Sequence, residues 1–394
     1  MKKILVRGPA LSRSGYGEQC RFALQSLKAH SDKFDIYLIN TGWGATGWLH
    51  EDTEERAWLD ETILKTINEI QSPDRSFDVS LQVGLPNEWQ FLARTNIGYT
   101  AGVETDQVPA SWVQYIEQMN KVIVPSNHTK SGFLASGCAD DKIEVVNYPV
   151  RTAGESELDL SLECDFNFLT VAQWNPRKNL EATITSFVEE FTNESVGLII
   201  KTNIKNSSII DRQYCNERLE YILNHFSEDR KCKVYLLHGN LTEGEMAGLY
   251  QHPKVGAYVC ASHGEGYGLP IFEAVCNELP VVVANWGGVR DFCNVPVKNK
   301  KSKKTKLKPM VYEVEYQIEK VQPDAVWEGV IEPTASWCYP EIDSLRKQMR
   351  EAATNPNTTR AKKLKNHIIK NFTVESKQQQ FVDAILTISQ GETK

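Results

Sequence analysis

Short β-branched runs alternate along the chain with longer stretches in which apolar residues recur every three or four positions. In the first part, "KKILVRG" (2–8) predicts a strand and "YGEQCRFALQSLKAH" (16–30) a helix, followed by strands at "FDIYLIN" (34–40) and "VSLQVG" (79–84). A helix is then expected at "ASWVQYIEQM" (110–119), a strand at "KVIVPS" (121–126), and a helix at "HTKSGFLASG" (128–137) that stops at Gly137. A polar, acidic stretch, "RTAGESELDLSLECD" (151–165), has no periodicity and is the expected linker. Beyond it the alternation restarts. Strands are predicted at "FNFLTVAQ", "VGLIIKT", "CKVYLLHG", "VGAYVCAS" and "PVVVANWG", and helices at "NLEATITSFVEEF", "CNERLEYILNHF", "TEGEMAGLYQH" and "PIFEAVCNEL". Strand and helix alternation of this kind predicts doubly wound parallel sheets, here two in succession. The packing partner of the last predicted helix, "SKQQQFVDAILTIS", is not readable from the pattern.

Length supports the same division, because 394 residues exceed what one core usually holds. The expected domains are residues 1–155 and 156–372, with 373–394 as a C-terminal helix for which a return to the first domain is one option. Net charge is −7, so the chain as a whole has no attraction for nucleic acid or anionic lipid. One segment runs against that balance. "KNKKSKKTKLK", Lys298 to Lys308, holds seven lysines and is expected to be an exposed inserted loop. Its readings are a solvated loop, a contact with an anionic membrane surface, or a contact with nucleic acid. Arg7 breaks the first apolar run too early for a signal peptide and no stretch is long enough to span a membrane, so the expectation is a cytoplasmic protein. The nine cysteines lack metal-type spacing and are expected to be reduced core residues.

The densest chemistry lies in "SHGEGYGLPIFEAVCNELPVVV", Ser262 to Val283. A strand ends near Ser262, a glycine turn follows, and Pro270 suits the first position of a helix. Gly264, Gly266 and Gly268 allow close backbone approach to a ligand, and the helix start favours an anion such as a diphosphate. Glu273, about one turn in, has two oxygens suited to adjacent ribose hydroxyls. Glu265 and Glu273 stand at E-x7-E spacing. In the first domain, "GPALSRSGYGEQCR" follows the first strand, and Gly15 and Gly17 would let backbone near a phosphate or acceptor. It lacks the full dinucleotide fingerprint, and no acidic residue closes the second strand, which disfavours NAD. Trp43 and Trp48 in "TGWGATGW" are either a sugar platform or loop anchors.

"GEGYGLPIFEAVCNELPVVVANWGG" resembles the donor-binding segment of retaining glycosyltransferases of the GT-B fold, family 4 (glycosyl transferases group 1). "QWNPRKNL", "VIVPSNHTKSGF" and "SWCYPEIDSLRKQMREA" are similar to further segments of that family, in the expected order. The resemblance implies an α/β GT-B architecture, with two facing Rossmann-like domains and an interdomain cleft. It implies that Glu273 holds the nucleotide ribose, that Glu265 lies by the donor sugar, and that the backbone of Gly266, Tyr267, Gly268 and Leu269 lines sugar and phosphates. The family's R-x4-K pattern is not kept. Lys178 is the better match to its diphosphate-neutralising cations, with Arg177 beside it and Lys201 as a second source of charge. Glu104, in "IGYTAGVETDQVP" after a predicted strand, is a second catalytic candidate beside Glu265, with a site role by the donor sugar or, alternatively, a loop-structuring role; a paired-carboxylate mechanism of the glycosidase type is not expected. The activity implied is transfer of a hexose from a nucleotide-diphosphate sugar to a hydroxyl acceptor, with no metal and no further cofactor. A nucleotide-sugar 2-epimerase and a non-catalytic sugar-nucleotide-binding protein are the rivals, and glycosylation of modified DNA bases is the alternative at the level of the acceptor.

Overall fold

The computed structural model describes residues 1–151, 158–299 and 304–388. It divides into two compact units. The first comprises Met1–Pro149, Trp327–Ala335 and Phe372–Lys394, and the second Val150–Val326 and Ser336–Asn371.

In the first unit the order is β1 (Lys2–Gly8), α1 (Gly15–Lys28), β2 (Phe34–Asn40), α2 (Glu54–Ile70), β3 (Val79–Val83), β4 (Thr95–Tyr99), α3 (Ala110–Gln118), β5 (Lys121–Val124), α4 (Asn127–Ala135) and β6 (Ile143–Val145). Six parallel strands are arranged β2-β1-β3-β4-β5-β6. Ile4, Leu5 and Val6 of β1 are all buried, as expected of a strand covered on both faces. The helices start where the sequence supplies a cap: Ser14 accepts the Gly17 N–H before α1, and Ser126 accepts the Thr129 N–H before α4. Helix α2 is not among the sequence-predicted elements. Its buried residues are Leu59, Thr62 and Thr66, so hydroxyls stand where an apolar stripe would have announced it.

The second unit runs β7 (Asn167–Gln173), α5 (Leu180–Phe191), β8 (Gly197–Asn203), α6 (Ile209–Leu223), β9 (Lys233–His238), α7 (Glu243–Gln251), β10 (Val255–Cys260), α8 (Leu269–Cys276), β11 (Val281–Ala284) and the short α9 (Arg290–Cys293). Then come β12 (Asn294–Lys298), β13 (Thr305–Pro309), β14 (Tyr312–Val314), β15 (Tyr316–Lys320), β16 (Ser336–Pro340), α10 (Ile342–Thr354) and α11 (Thr358–Asn371). Its six-stranded sheet is ordered β14-β11-β10-β7-β8-β9. From β7 the chain winds outward to β8 and β9, then returns to β10 on the other side of β7 and continues to β11. The reversal falls between β7 and β10, and open α/β sheets bind ligands outside the strand carboxyl ends at such a point. The core beneath holds Phe168, Phe187 and Phe191 in mutual ring contact.

The lysine-rich segment is a two-stranded antiparallel ribbon rather than the expected loop, with Val297 opposite Lys306 and Val295 opposite Lys308. Residues 300–303 of that segment lie outside the described residues, as do 152–157 of the expected linker. Helix α12 (Val374–Leu386) belongs to the first unit, where Phe381 meets Phe22 and Tyr99 at ring-centroid distances of 5.4 and 5.0 Å. All nine cysteines are buried thiols. Among the described residues no helix is long and apolar enough to cross a membrane.

Candidate functional site

Two loops meet at the reversal point of the second sheet. After β7, "NPRK" makes a single turn in which the Asn175 side chain accepts the Lys178 N–H, and Asn179 takes a left-handed conformation before α5 begins. This turn projects Arg177 and Lys178 past the end of the strand. After β10, residues 261–268 cross toward the start of α8. Lys178 Nζ reaches both carboxylate oxygens of Glu265, at 2.6 and 2.8 Å, and Arg177 stands 3.5 Å from Oε2. Only 11% of the Glu265 side chain and 12% of that of Lys178 are exposed. Burial opposes ionisation of Glu265, but Lys178 and Arg177 more than offset it and hold the carboxyl below its usual range. Arg177 Nη1 also donates to the Gly264 carbonyl at 2.7 Å, so the same turn fixes charge and loop.

Glycine is required behind this loop. A Cβ on Gly288 would lie 2.1 Å from the Gly266 oxygen, and Gly287, at φ +83, would put one 3.0 Å from the Glu265 oxygen. The Gly288 N–H donates to the Glu265 carbonyl at 2.8 Å. Tyr267 turns its ring into the core against Phe272 and Phe292, so this position presents backbone to a ligand. Gly268, at φ +92, is the N-cap of α8, and Leu269 is the first helical residue. Pro270 therefore sits second in the helix, one place later than its sequence suggests.

Glu273 lies on α8 about one turn in, where Tyr250 donates to Oε2 at 3.0 Å and Arg151 to Oε1 at 3.2 Å. Lys201, two residues before the end of β8, donates to the Gly239 carbonyl at 2.6 Å beyond β9. Lys178 and Arg177 act on Glu265, and Lys201 bonds to the neighbouring loop. In the first unit, the remaining predicted residues are at the carboxyl end of that sheet. Tyr16, between Gly15 and Gly17, stacks on Trp43 at 4.0 Å and bonds to Thr100, and the half-buried Glu104 acts electrostatically on its hydroxyl. Gly17 has a local reason to be glycine: a Cβ there would lie 1.9 Å from the Ser12 oxygen, while Gly15 opens onto space.

Several site residues escaped the sequence reading. Arg151 and Tyr250 orient Glu273 from over a hundred and over twenty positions away. His263 stacks on Trp337 at 5.1 Å and 12°, with Nδ1 bonded 2.8 Å to the Cys338 carbonyl. Burial lowers its pKa, keeping the ring neutral, so that bond needs the proton on Nδ1. The Cys338 N–H returns a bond to the His263 carbonyl, which ties the Glu265 loop to β16. Asp211, Cys215 and His238 place three potential metal ligands within 4.8 Å of one another. Yet Asp211 already accepts N–H bonds from Ile204, Lys205 and Asn206 and a 2.8 Å bond from His238 Nε2. That set describes a hydrogen-bonded loop clamp.

Two doubly wound parallel units with a glutamate-bearing loop at the switch point of the second define the chain as an α/β protein of the GT-B fold. No protein-family profile and no curated protein matches the sequence. Solved structures match along nearly the whole chain. HepE of Anabaena, in complex with UDP and glucose, is 13% identical with a TM-score of 0.63, covering 98% of this chain and 100% of its own. The lipopolysaccharide outer core galactosyltransferase WaaB is 13% identical at TM-score 0.59, with coverages of 98% and 99%. A UDP-forming α,α-trehalose-phosphate synthase from Burkholderia xenovorans is 11% identical at TM-score 0.59, again covering 98% and 99%.

Proposed function

We propose that the protein is a retaining glycosyltransferase that moves a hexose from a nucleotide-diphosphate sugar to a hydroxyl acceptor without a metal ion. The observation that carries this reading is the buried Lys178–Glu265 pair, flanked by Arg177, at the switch point of the second sheet. The departing diphosphate gains negative charge as the sugar–phosphate bond breaks, so fixed cations beside a helix start lower the barrier. An arriving diphosphate competes with Glu265 for Lys178 and Arg177. Once those cations turn to phosphate, the Glu265 carboxylate is left to accept hydroxyls of the donor sugar, and the Gly266–Leu269 backbone lines the same ligand. Glu273, already oriented by Tyr250, takes the ribose hydroxyls in place of Arg151. Bond breaking at the anomeric carbon leaves electrons on the phosphate oxygen, the acceptor oxygen bonds to the same sugar face, and its proton passes to the phosphate. Glu104, near the Tyr16 hydroxyl at the carboxyl edge of the first unit's sheet, is the candidate there for contact with sugar hydroxyls. UDP is the first nucleotide to test, since HepE was solved with UDP and with UDP-glucose.

The test is a thermal-shift screen of UDP, GDP, ADP and their sugar conjugates, with Glu273→Ala as control. Ligands that bind the folded state alone raise the melting temperature by mass action. A shift with one nucleotide that is lost in Glu273→Ala is expected. No shift with any of them would overturn the donor-site assignment. Conversion of the bound sugar nucleotide to its epimer, with no transfer, would instead make the protein a 2-epimerase.

A further inference from the structure

We propose that the second unit docks on an anionic lipid bilayer through the β12–β13 ribbon and the adjoining helix α11. The sequence around the ribbon, residues 292–312, contains seven lysines and no acidic residue, and among the described residues Lys298, Lys304, Lys306 and Lys308 are exposed. Residues 352–374, which include α11, contain four lysines and an arginine with no acidic residue; Lys365 pairs with Glu278 at 3.4 Å, and Lys362, Lys363 and Lys370 are exposed. Helix α11 lies against β12, so the two basic segments, separate in sequence, are neighbours in the fold. It stands on a chain whose net charge is −7, so the cations are concentrated rather than spread. Lysines on an edge strand such as β13 also discourage strand addition, but that purpose is served by one or two.

Two features choose lipid over nucleic acid as the partner. Exposed apolar side chains sit among the exposed lysines, with Leu307 68% exposed between Lys306 and Lys308 and Ile369 43% exposed beside Lys370. A headgroup boundary removes such side chains from water while lysine stems reach up to phosphate, whereas a phosphodiester backbone offers them nothing. The exposed cations are also lysines, which act as point charges. Arg360, the arginine of α11, spends its guanidinium on the Val311 carbonyl and lies over the Tyr312 ring. Base readout favours arginine forks, while a polybasic lipid contact is content with lysine.

The ribbon is rooted at the candidate site's own sheet edge. Asn285, just past β11, and Asn294, which opens β12, exchange side-chain amide bonds at 3.1 Å, a few residues beyond the Gly288 that braces the Glu265 loop. A bilayer bound by the ribbon would thus be held through the same stretch of chain that braces the proposed transfer site. Docking itself is read by binding alone and so stands or falls apart from the transfer chemistry.

The experiment is co-sedimentation of the full chain with vesicles of phosphatidylcholine alone and of phosphatidylcholine with phosphatidylglycerol, at low and high salt. Binding to the anionic vesicles alone is expected, released by salt. Each lysine near an anionic surface is worth roughly fivefold in partitioning, so Lys306→Glu with Lys308→Glu weakens it by at least about 20-fold. Leu307→Asn, which leaves charge unchanged, should weaken it severalfold, and all three positions are exposed, so folding is spared. A labelled DNA duplex is titrated in parallel. Duplex binding that is lost with the lysines and indifferent to Leu307→Asn, without vesicle binding, would overturn the proposal in favour of nucleic acid. No binding to anionic vesicles at low salt would overturn it outright.

Discussion

Replacing Lys178 by methionine keeps the length of the side chain and removes its charge. Glu265 is then left with 11% of its side chain exposed and Arg177 at 3.5 Å as its remaining cation. Removing one member of a buried ion pair costs roughly 3–5 kcal/mol, and the Arg177 contact argues for the lower end, about 3 kcal/mol. At about 2–4 °C per kcal/mol for a unit of this size, the melting transition of the second unit should fall by roughly 6–12 °C at neutral pH. The pH dependence identifies the cause. In the native protein the Glu265 pKa is depressed despite its burial, so its contribution is present above the usual carboxylate range and lost as pH falls through the folded value. Without Lys178 burial dominates and the folded pKa rises, so protonation relieves the penalty as pH falls. The gap between native protein and variant should therefore narrow from about pH 8 to about pH 5 in thermal melts. Equal melting temperatures at both pH values, or a gap that does not narrow, would refute the buried pair as the source of order in this loop.

Three further outcomes follow from the geometry. Gly288→Ala pushes a methyl group into the Gly266 carbonyl and displaces the Glu265 loop. Misplacement of a site by about 1 Å costs on the order of 100-fold in rate, so turnover in a transfer assay should fall by about that factor. Asp211→Asn presents an amide to some of the N–H donors of Ile204, Lys205 and Asn206. Unsatisfied buried donors cost about 1–3 kcal/mol, which denaturant titration would register, and an unchanged midpoint would mean that the clamp is not formed. Chelation by EDTA should leave transfer measured with the donor found in the nucleotide screen intact, because Lys178, Arg177 and the start of α8 neutralise the leaving group. Loss of activity restored by a divalent cation would transfer that role to a metal.

The legible parts of this protein are those whose signal is local. The E-x7-E spacing and the glycine turn lie within a dozen residues, and β10, the loop and α8 follow from them directly. The pairing that gives Glu265 its charge is not local. Lys178 lies 87 positions away and departs from the family's spacing, and only the sheet order, with β7 beside β10, brings the two together. Lys201 shows the converse, since it lies near the carboxyl end of a strand in the same sheet but bonds to the Gly239 carbonyl. The ribbon escaped notice because β13 is exposed on both faces and so carries lysine where a half-buried strand alternates. Arg151 and Tyr250 had no sequence signal at all, since each gains meaning from the carboxylate it meets.

Helix α12 gives the first unit an unusual timetable. Phe381 closes a cluster with Phe22 and Tyr99, and Trp112 donates to the Gly329 carbonyl, so this unit is knitted from stretches hundreds of residues apart. Synthesis delivers the sheet of the first unit before the second unit, yet its aromatic core stays open until α12 leaves the ribosome. The second unit draws on residues 150–326 and 336–371 and has its whole sequence available earlier. The unit made first is thus expected to be the one completed last, with contacts of long sequence separation setting its rate.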